Sequence, residues 1–390
     1  MRLSREFSRV TNTRYGRVLM RVAIEARGLS IRGGASRYIR NLVEGLARLD
    51  DENEYWLIKA ADDETGECLS PRVRSLVLPG CAKLTQIAWD QVKLPLTLKR
   101  LGCQLVHATK NVGPLNTRAR LVVTVLDMIP LLLPRTMPVL DAVYWRNLVP
   151  AVLKRADAII AISEVTKRDI VELTGTDERK IRVVPLGVEP AFRPIDALLL
   201  ARFREQMKVK CPFLLYVGAL EPRKNVPLLI RAFSDFKRLT HSPHKLLIVG
   251  KSGWYDPLID AVLARSKFSD EIIFSGFASE KELPYYYNLA EAVVYPSKYE
   301  GFGMPVVEAM ACGTPVITSD GGAIPEVVDG AGLIVPVNHW KPLTNAMIDV
   351  VSSASLRNEL RIKGIERAKE FSWDKTASLT RQVYEDLVAS

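Results

Sequence analysis

The chain has 390 residues, of which 48% are apolar and 25% are charged, and its net charge is +10. This length exceeds what one hydrophobic core normally supports, so two globular domains are expected. The composition excludes a collagen-like or fully disordered chain, and no apolar run is long enough to cross a bilayer. Because the five cysteines include no C-x-x-C pair and no signal-peptide pattern is visible, we expect a cytoplasmic protein with reduced thiols.

The positive charge is concentrated in the first half of the chain. Residues 1–195 hold 31 Lys and Arg against 21 Asp and Glu, whereas residues 196–390 hold 23 of each. This imbalance favours an anionic partner, either a phosphate-bearing acceptor or an anionic membrane surface; charge that serves only solubility is the alternative. Nucleic acid is disfavoured, because the sequence shows no helix-turn-helix, zinc-finger or aromatic-studded basic pattern.

The first predicted element is a disordered leader over residues 1–19, which contain five arginines and no amphipathic period. Met20 then opens the strand-like run 21–25. This arrangement leads to the hypothesis that translation starts at Met20, which the intact mass of the natively expressed protein would test.

Short apolar runs then alternate with longer helical periods along the chain. A first series of strands is predicted at residues 21–25, 55–58, 105–107, 121–126, 158–162 and 181–184. A second series is predicted at residues 213–217, 245–249, 271–274, 292–295, 315–318 and 332–335. Amphipathic helices such as 35–49 and 226–239 lie between the strands, which predicts two doubly wound α/β domains with parallel sheets.

The Gly- and Pro-rich stretch 187–194 predicts the join between these domains. Ligands of open parallel sheets bind beyond the carboxyl ends of the strands. Two facing sheets therefore predict an active site in the cleft between the domains.

The segment 299–315 carries the most informative pattern in the chain. Pro305 suits the first turn of a short helix, and Gly301 and Gly303 before it allow backbone N–H groups to approach a ligand closely. Glu300 and Glu308 flank the loop, so one carboxylate can reach each end of a ligand lying along it. The alternative is that both are solvated acids beside a structural turn.

Two further segments fit a site for a phosphorylated ligand. Arg223 and Lys224 follow the strand 213–217 and Gly218, where a basic pair can clamp a diphosphate. Gly33 and Gly34 link the first strand to its helix and allow a phosphate or sugar to approach the backbone. A solvated loop pair and a plain turn are the respective alternatives.

The segment from Glu300 to Glu308 resembles the E-x7-E signature of family 4 retaining glycosyltransferases, which have the GT-B fold. The similarity covers roughly residues 20–385. It implies that Glu300 binds the hydroxyls of the donor sugar, that Glu308 binds the ribose, and that Arg223 and Lys224 bind the diphosphate. The resemblance and the loop chemistry together give a donor-binding set: Gly33, Gly34, Gly218, Phe277, Gly301, Phe302, Gly303, Met304 and Glu308.

The resemblance also implies a division of labour between the domains. It assigns acceptor binding to residues 20–190 and nucleotide-sugar binding to residues 191–372. The last segment, 373–390, is expected to be a helix that crosses back to the first domain and permits closure of the cleft.

Many relatives carry a histidine on the first-domain side of the cleft. Leu126 stands before Asp127 where they often have a His-Asp pair, so His107 is the remaining candidate for a contact to the sugar. Asp127 is a candidate for binding the acceptor or acting as a weak base. For His107 the alternative is a hydrogen-bonded structural histidine.

The resemblance implies transfer of a hexose with retention, from a nucleotide-sugar donor to a glycan or lipid-linked acceptor. The pattern is most similar to mannosyltransferases of O-antigen or capsule assembly, which favours GDP-mannose as the donor. No cofactor is expected, and no metal either, since the chain contains no D-x-D motif. A non-catalytic sugar-nucleotide sensor and another GT-B enzyme, such as a sugar-nucleotide epimerase, remain alternatives.

The run 127–155 combines apolar residues with arginines and aromatic side chains. Tyr144 and Trp145 are typical of membrane interfaces, and Arg135 and Arg146 add positive charge. This pattern favours a peripheral enzyme at the inner face of the membrane. An ordinary helix packed on the sheet is the alternative.

Overall fold

The structure, a computed structural model, describes residues 20–26, 29, 33–60, 73–78, 89–134, 139–207, 209–250 and 256–389. The predicted leader 1–19 and Arg135 lie outside these described residues, so the predictions made for them stay predictions.

The strands of the described residues form two sheets in which every paired strand is parallel to its neighbour. The first sheet has the order β3-β2-β1-β4-β5-β6-β7 and the second the order β10-β9-β8-β11-β12-β13. The first sheet consists of β1 Arg21–Glu25, β2 Glu54–Ala60, β3 Val73–Leu78, β4 Leu105–Ala108, β5 Arg120–Val125, β6 Ala158–Ala161 and β7 Ile181–Val183. The second consists of β8 Phe213–Val217, β9 Lys245–Val249, β10 Ile272–Gly276, β11 Ala292–Tyr295, β12 Val316–Ser319 and β13 Leu333–Val335.

Helices lie between most consecutive strands of the described residues, whereas residues 109–119 join β4 to β5 without one. Those around the first sheet are α1 Gly34–Leu49, α2 Leu94–Leu101, α3 Ile129–Leu132, α4 Val139–Arg155 and α5 Glu164–Thr174, with a π-helical turn at Trp89–Lys93. Those around the second are α6 Ala197–Gln206, α7 Val226–Thr240, α8 Leu258–Arg265, α9 Leu283–Leu289, α10 Met304–Ala311, α11 Ile324–Val328, α12 Trp340–Ser352 and α13 Ala354–Ala368. The final helix is α14 Trp373–Ala389. Short 3-10 turns lie at Glu178–Lys180, Pro222–Lys224 and Ser269–Glu271.

The local sequence explains why these segments form strands and helices. Every residue of β8 and β11 is buried, as expected for strands covered by helices on both faces. Helix α1 buries one stripe that includes Tyr38, Leu42 and Leu46 against the sheet. Burial of these apolar stripes is the main force that stabilises both domains.

The final helix α14 packs on the first domain, against α1. A Cβ atom on Gly45 of α1 would lie 2.7 Å from the Cβ of Ala377 on α14, so the two helices cross closely at small residues. The rings of Tyr38 and Trp373 contact each other with centroids 6.4 Å apart. Apolar packing is thereby continuous from the first domain through α14 to the second.

The chain passes between the sheets twice, and the two passages lie against each other. The Val188 N–H donates to the Phe371 carbonyl at 3.2 Å, and a Cβ on Gly187 would lie 2.2 Å from the Trp373 nitrogen. Gly187 therefore has to lack a side chain for the passages to pack. The residue boundaries 20–190 and 191–372 remain predictions.

Candidate active site

The basic pair of the predicted site lies where the strand order of the second sheet reverses, between β8 and β11. Arg223 and Lys224 form a single 3-10 turn after β8. Asn225 ends this turn in the left-handed conformation, with φ of 58°, and leads into α7. Both cationic side chains are thereby directed to the carboxyl end of β11, the place where open α/β sheets bind ligands.

The Glu300 carboxylate is the centre of this cluster. Its Oε1 atom accepts hydrogen bonds from Lys224 Nζ at 2.6 Å, Ser297 Oγ at 2.6 Å and the Tyr295 hydroxyl at 3.0 Å. Arg223 Nη1 lies 2.7 Å from the same oxygen. The structure therefore brings together three residues that the sequence predicted, and adds Tyr295 and Ser297, for which no sequence signal was noted.

Burial and the neighbouring charges shift the pKa values of the ionisable groups in this cluster. Burial alone would raise the pKa of the Glu300 carboxyl, but the positive charges of Arg223 and Lys224 hold it at about 2. Burial lowers the pKa of Lys224, and the Arg223 charge lowers it further against the opposing effect of Glu300. The two cationic side chains share the Glu300 carboxylate, and Arg223 Nη2 also lies 3.6 Å from Glu221 Oε2. Cationic groups in this arrangement can bind the oxygens of a diphosphate.

The backbone at Glu300 is fixed by the loop after β12. The Ala323 N–H donates to the Glu300 carbonyl at 2.8 Å. Gly322, with φ of 66°, passes so close that a Cβ there would lie 2.3 Å from the Glu300 oxygen. The position of Glu300 is therefore set both by the loop that contains it and by the loop after β12.

Asp127 reaches the cluster from the first domain, at the carboxyl end of β5. Burial raises the pKa of its carboxyl, the Arg223 charge opposes this effect, and the Glu300 charge adds to it. A carboxyl group with a raised pKa that faces these residues can bond to a hydroxyl or accept its proton. The structure therefore brings Asp127 to the site, as the sequence predicted.

Asn111 holds the peptide that carries Asp127. It adopts a left-handed conformation, with φ of 41°, so that its side chain spans the Leu126–Asp127 unit. Its Oδ1 atom accepts the Leu126 N–H at 3.0 Å, and its Nδ2 donates to the Asp127 carbonyl at 2.7 Å. No sequence pattern indicates a role for Asn111, because an isolated Asn in a loop has no periodicity.

The domains meet at the glycine loop. A Cβ on Gly301 would lie 2.0 Å from the Leu126 carbonyl oxygen and 3.0 Å from the Asp127 Cβ. Gly303 begins α10 with φ of 100°, a conformation that favours glycine. Met304 follows, and its Cε would lie 2.8 Å from a Cβ on Gly34 of the first domain. In the structure the glycines of this loop allow close contacts with other parts of the protein, and their predicted contact with a ligand stays a prediction.

The remaining predicted donor-binding residues differ in exposure. Gly33 and Gly34 are exposed at the start of α1, and Phe277 is 46% exposed after β10. Gly218 follows β8 and lies beside Gly250, where a Cβ would be 1.8 Å from the Gly218 oxygen. The ring of Phe302, in contrast, is buried edge-on against Phe371, so its side chain contributes to the core.

Glu308 lies in α10 and is almost completely buried, with 2% of its surface exposed. Its Oε2 accepts a hydrogen bond from the Tyr287 hydroxyl at 2.8 Å. Its Oε1 accepts one from Arg37 Nη1 at 2.5 Å, and Arg37 belongs to the first domain. No sequence pattern distinguishes Arg37 from the other arginines of this amphipathic helix.

His107 does not reach this site with its ring. It is completely buried in β4; its Nδ1 is hydrogen-bonded to the Tyr384 hydroxyl at 2.6 Å and its Nε2 to the Thr124 hydroxyl at 2.7 Å. Burial lowers the pKa of His107 to about 3, so the ring is neutral. The prediction of a catalytic His107 is therefore corrected: both nitrogens are occupied in joining α14 to the sheet, which leaves none for a sugar.

The described residues contain neither a candidate metal site nor a helix that could span a membrane. No group of three or more His, Cys, Asp or Glu side chains among them could hold a metal ion. Within the same residues, no helix is long and apolar enough to cross a bilayer. Trp145 of α4 packs against the core of the first domain, where Val149 and Val152 of the same helix are buried.

Comparison with known proteins agrees with this architecture. Residues 32–192 match the model of Glycosyltransferase Family 4, and residues 200–367 match the model of Glycosyl transferases group 1. Sucrose-phosphate synthase from Thermosynechococcus elongatus has a TM-score of 0.78 at 22% identity and covers 95% of this chain and 99% of its own. HepE from Anabaena, in complex with UDP and glucose, has a TM-score of 0.74 at 17% identity and covers 94% and 99%. These likenesses show the fold, and the predicted GT-B architecture is confirmed.

Sequence relatives of known function match only part of their own length. O-antigen chain mannosyltransferase B of Escherichia coli is 30% identical over 233 residues, which cover 60% of this chain and 61% of the relative. D-inositol 3-phosphate glycosyltransferase of Kineococcus radiotolerans is 30% identical over 251 residues, which cover 60% and 58%. From the two domain matches, the chain belongs to the family 4 glycosyltransferases, with a Glycosyltransferase Family 4 domain followed by a group 1 domain.

Proposed function

We propose that this protein is a retaining hexosyltransferase that uses a nucleotide-sugar donor, with mannose from GDP-mannose favoured. The acceptor is a glycan or a lipid-linked glycan in the synthesis of cell-surface polysaccharide or glycolipid. The observation that supports this proposal most directly is the convergence of Arg223 and Lys224 on Glu300, opposite Asp127 of the other domain.

The reaction breaks the bond between the anomeric carbon and the diphosphate oxygen and forms a bond to an acceptor hydroxyl on the same face. Negative charge develops on the departing diphosphate, and Arg223 and Lys224 stabilise it there. The acceptor proton passes to the departing phosphate. Asp127 bonds to the acceptor hydroxyl and orients it for attack.

Glu300 has the geometry of a sugar-binding carboxylate. All of its hydrogen-bond donors among the described residues lie on Oε1, so Oε2 is left to accept a bond from a sugar hydroxyl. Its low pKa keeps it ionised at any physiological pH. It therefore acts only as an acceptor of hydrogen bonds and cannot serve as a general acid.

The relatives support the choice of donor and product class. O-antigen chain mannosyltransferase B and the serotype-specific mannosyltransferase WbdA, both of Escherichia coli, are named for mannosyl transfer. HepE was solved with UDP and with UDP-glucose, which supports a nucleotide sugar as the donor. The first experiment should identify the base and the sugar of the donor.

A donor-hydrolysis assay over a panel of GDP-, UDP- and ADP-sugars tests the proposal. We expect release of nucleoside diphosphate from one donor, GDP-mannose first, with no dependence on added metal or on chelator. Binding of a donor without hydrolysis or transfer would identify a sensor. Recovery of an altered sugar nucleotide would identify an epimerase, and either result would contradict the proposal.

Peripheral attachment to an anionic membrane is part of the same proposal, because it would bring a lipid-linked acceptor to the cleft. The basic first half of the chain supports it. Co-sedimentation with vesicles containing anionic lipid at low salt is the test. Absence of binding there would leave a water-soluble glycan as the acceptor class.

A further inference from the structure

The contact between Arg37 and Glu308 occupies a group that the proposed function needs. Glu308 is the candidate ligand of the donor ribose, yet Arg37 Nη1 and the Tyr287 hydroxyl each bond to one of its oxygens. Its exposure of 2% leaves no path for a ribose while Arg37 is in place. A ribose that is to bind Glu308 must therefore take this position from Arg37.

Arg37 has a second acidic partner that can hold it after such an exchange. Its Nε donates to Glu189 Oε1 at 2.9 Å, in the segment that joins the two domains. Asn41, one turn further along α1, donates to the same Glu189 oxygen at 3.2 Å. The Arg37 guanidinium also lies over the Phe192 ring, 5.3 Å from its centroid. Loss of the Glu308 bond therefore does not leave Arg37 without a counter-charge.

The same contact is coupled to closure of the cleft. Arg37 lies in the first turn of α1, three residues after Gly34, and a Cβ on Gly34 would lie 2.8 Å from Met304 Cε at the start of α10. Glu308 is in the same helix as Met304. Any movement that separates the starts of α1 and α10 therefore removes Arg37 from Glu308 as well.

We propose that Arg37 is an affinity-determining residue of the donor site, which closes the cleft on Glu308 and competes with the nucleotide for that carboxylate. Glu189 remains the acidic partner of Arg37 when the nucleotide binds Glu308. This inference rests on the proposed function, because it assumes that a nucleoside diphosphate binds beside Glu308.

The proposal predicts opposite changes in nucleotide affinity when Arg37 and Glu189 are substituted. Removing Arg37 frees Glu308 and should strengthen nucleotide binding. Neutralising Glu189 leaves Arg37 with Glu308 as its acidic partner, which should weaken nucleotide binding. If Arg37, Glu189 and Glu308 only stabilise the fold, both changes should weaken nucleotide binding. The same result is expected if Arg37 itself binds the diphosphate.

Arg40 offers a matched control one turn along the same helix. It also pairs across the domains, with Glu280 at 3.0 Å, but this pair is one-third to one-half exposed and contains none of the proposed donor-binding carboxylates. An effect that arises merely from the loss of an ion pair between domains should appear in Arg40→Gln too. An effect specific to Glu308 should not.

The experiment measures the Kd of GDP and of UDP by calorimetry for the full chain and for the three variants. We expect Arg37→Gln to lower the Kd at least threefold, Glu189→Gln to raise it at least threefold, and Arg40→Gln to change it less than twofold. A higher or unchanged Kd for Arg37→Gln would overturn the proposal, as would a lower or unchanged Kd for Glu189→Gln. Thermal midpoints confirm that each variant is folded.

A second measurement does not depend on the nucleotide. Small-angle scattering should give a larger radius of gyration for Arg37→Gln than for Arg40→Gln, because only the first releases α10 from α1. If the unmodified protein binds neither nucleotide, the proposed function fails, and the closing role of Arg37 is judged on this radius alone. Equal radii of gyration for the two variants would contradict the closing role of Arg37.

Discussion

At the residue scale, Lys224 and Glu300 are joined by a hydrogen bond of 2.6 Å within the candidate site. We expect Lys224→Ala and Glu300→Ala each to lower the rate of transfer by about 100-fold or more, because each removes a charged group that is proposed to contact the donor. For Glu308→Ala we expect a smaller effect, mainly a raised KM for the donor. Initial rates measure these effects.

The thermal midpoint is the control for these substitutions, since Arg223 still pairs with Glu300 in Lys224→Ala. A folded Lys224→Ala variant with full activity would show that the diphosphate does not bind at this lysine.

The buried His107 makes a separate prediction about stability and pH. The pKa of its ring is lowered to about 3 in the folded protein, from 6.5 in an exposed histidine. Between these values the unfolded chain binds one proton more than the folded chain, so stability falls as pH decreases from about 6.5 towards 3. The contribution of His107 to this slope approaches about 1.4 kcal/mol per pH unit.

Comparison with His107→Gln isolates that contribution. We expect the variant to be less stable at neutral pH, because one of the bonds to Thr124 and Tyr384 is lost, but to lose stability less steeply between pH 6 and pH 4. Denaturant unfolding at a series of pH values measures both quantities. Parallel curves for the two proteins would mean that the ring is accessible to protons in the folded state.

At the element scale, the close crossing of α1 and α14 depends on Gly45. A Cβ at this position would lie 2.7 Å from the Ala377 Cβ and 3.3 Å from the Trp373 carbonyl oxygen. We expect Gly45→Ala to lower the thermal midpoint and Gly45→Val to lower it further, because each added group forces α14 away from α1. Leu49→Ala, at an exposed position of α1, is the control and should have little effect.

The strands were predictable from the sequence wherever they are buried on both faces. β8 and β11 read as continuous apolar runs, and the second sheet contains strands at all six predicted places. β3 of the first sheet was missed. It is an edge strand, and its residues Arg74 and Ser75 are exposed, so it lacks the apolar run that marked the others.

At the scale of the whole molecule, the sequence indicated the residues that cluster at Glu300 but not the bond that joins Arg37 to Glu308 across the cleft. The chemistry of Glu300 and Lys224 is visible from the glycine loop and the basic pair beside their strands. The bond from Arg37 to Glu308, in contrast, joins residues 271 positions apart. No local pattern indicates such a partner, because its position depends on how the two domains pack. The role of His107 was predicted wrongly for the same reason, because its partner Tyr384 comes from the last helix.

Two glycines of one loop allow the contact between the domains at Gly301 to be tested separately from the stability of the fold. A Cβ on Gly301 would lie 2.0 Å from the Leu126 carbonyl of the other domain, and the backbone of Gly301 is not in the left-handed region. We therefore expect Gly301→Ala to fold normally but to close poorly. Its kcat/KM should fall at least tenfold and its radius of gyration should increase, while its thermal midpoint stays close to that of the unmodified protein.

Gly303→Ala is the matched comparison, because its strain lies within the second domain. Gly303 has φ of 100°, and a Cβ would lie 2.5 Å from Ile324 Cδ1. An alanine there costs about 1–3 kcal/mol of stability, so its thermal midpoint should fall. If Gly301→Ala instead lowers the midpoint as Gly303→Ala does, with no change in the radius of gyration, the contact with Leu126 stabilises the fold and does not control closure.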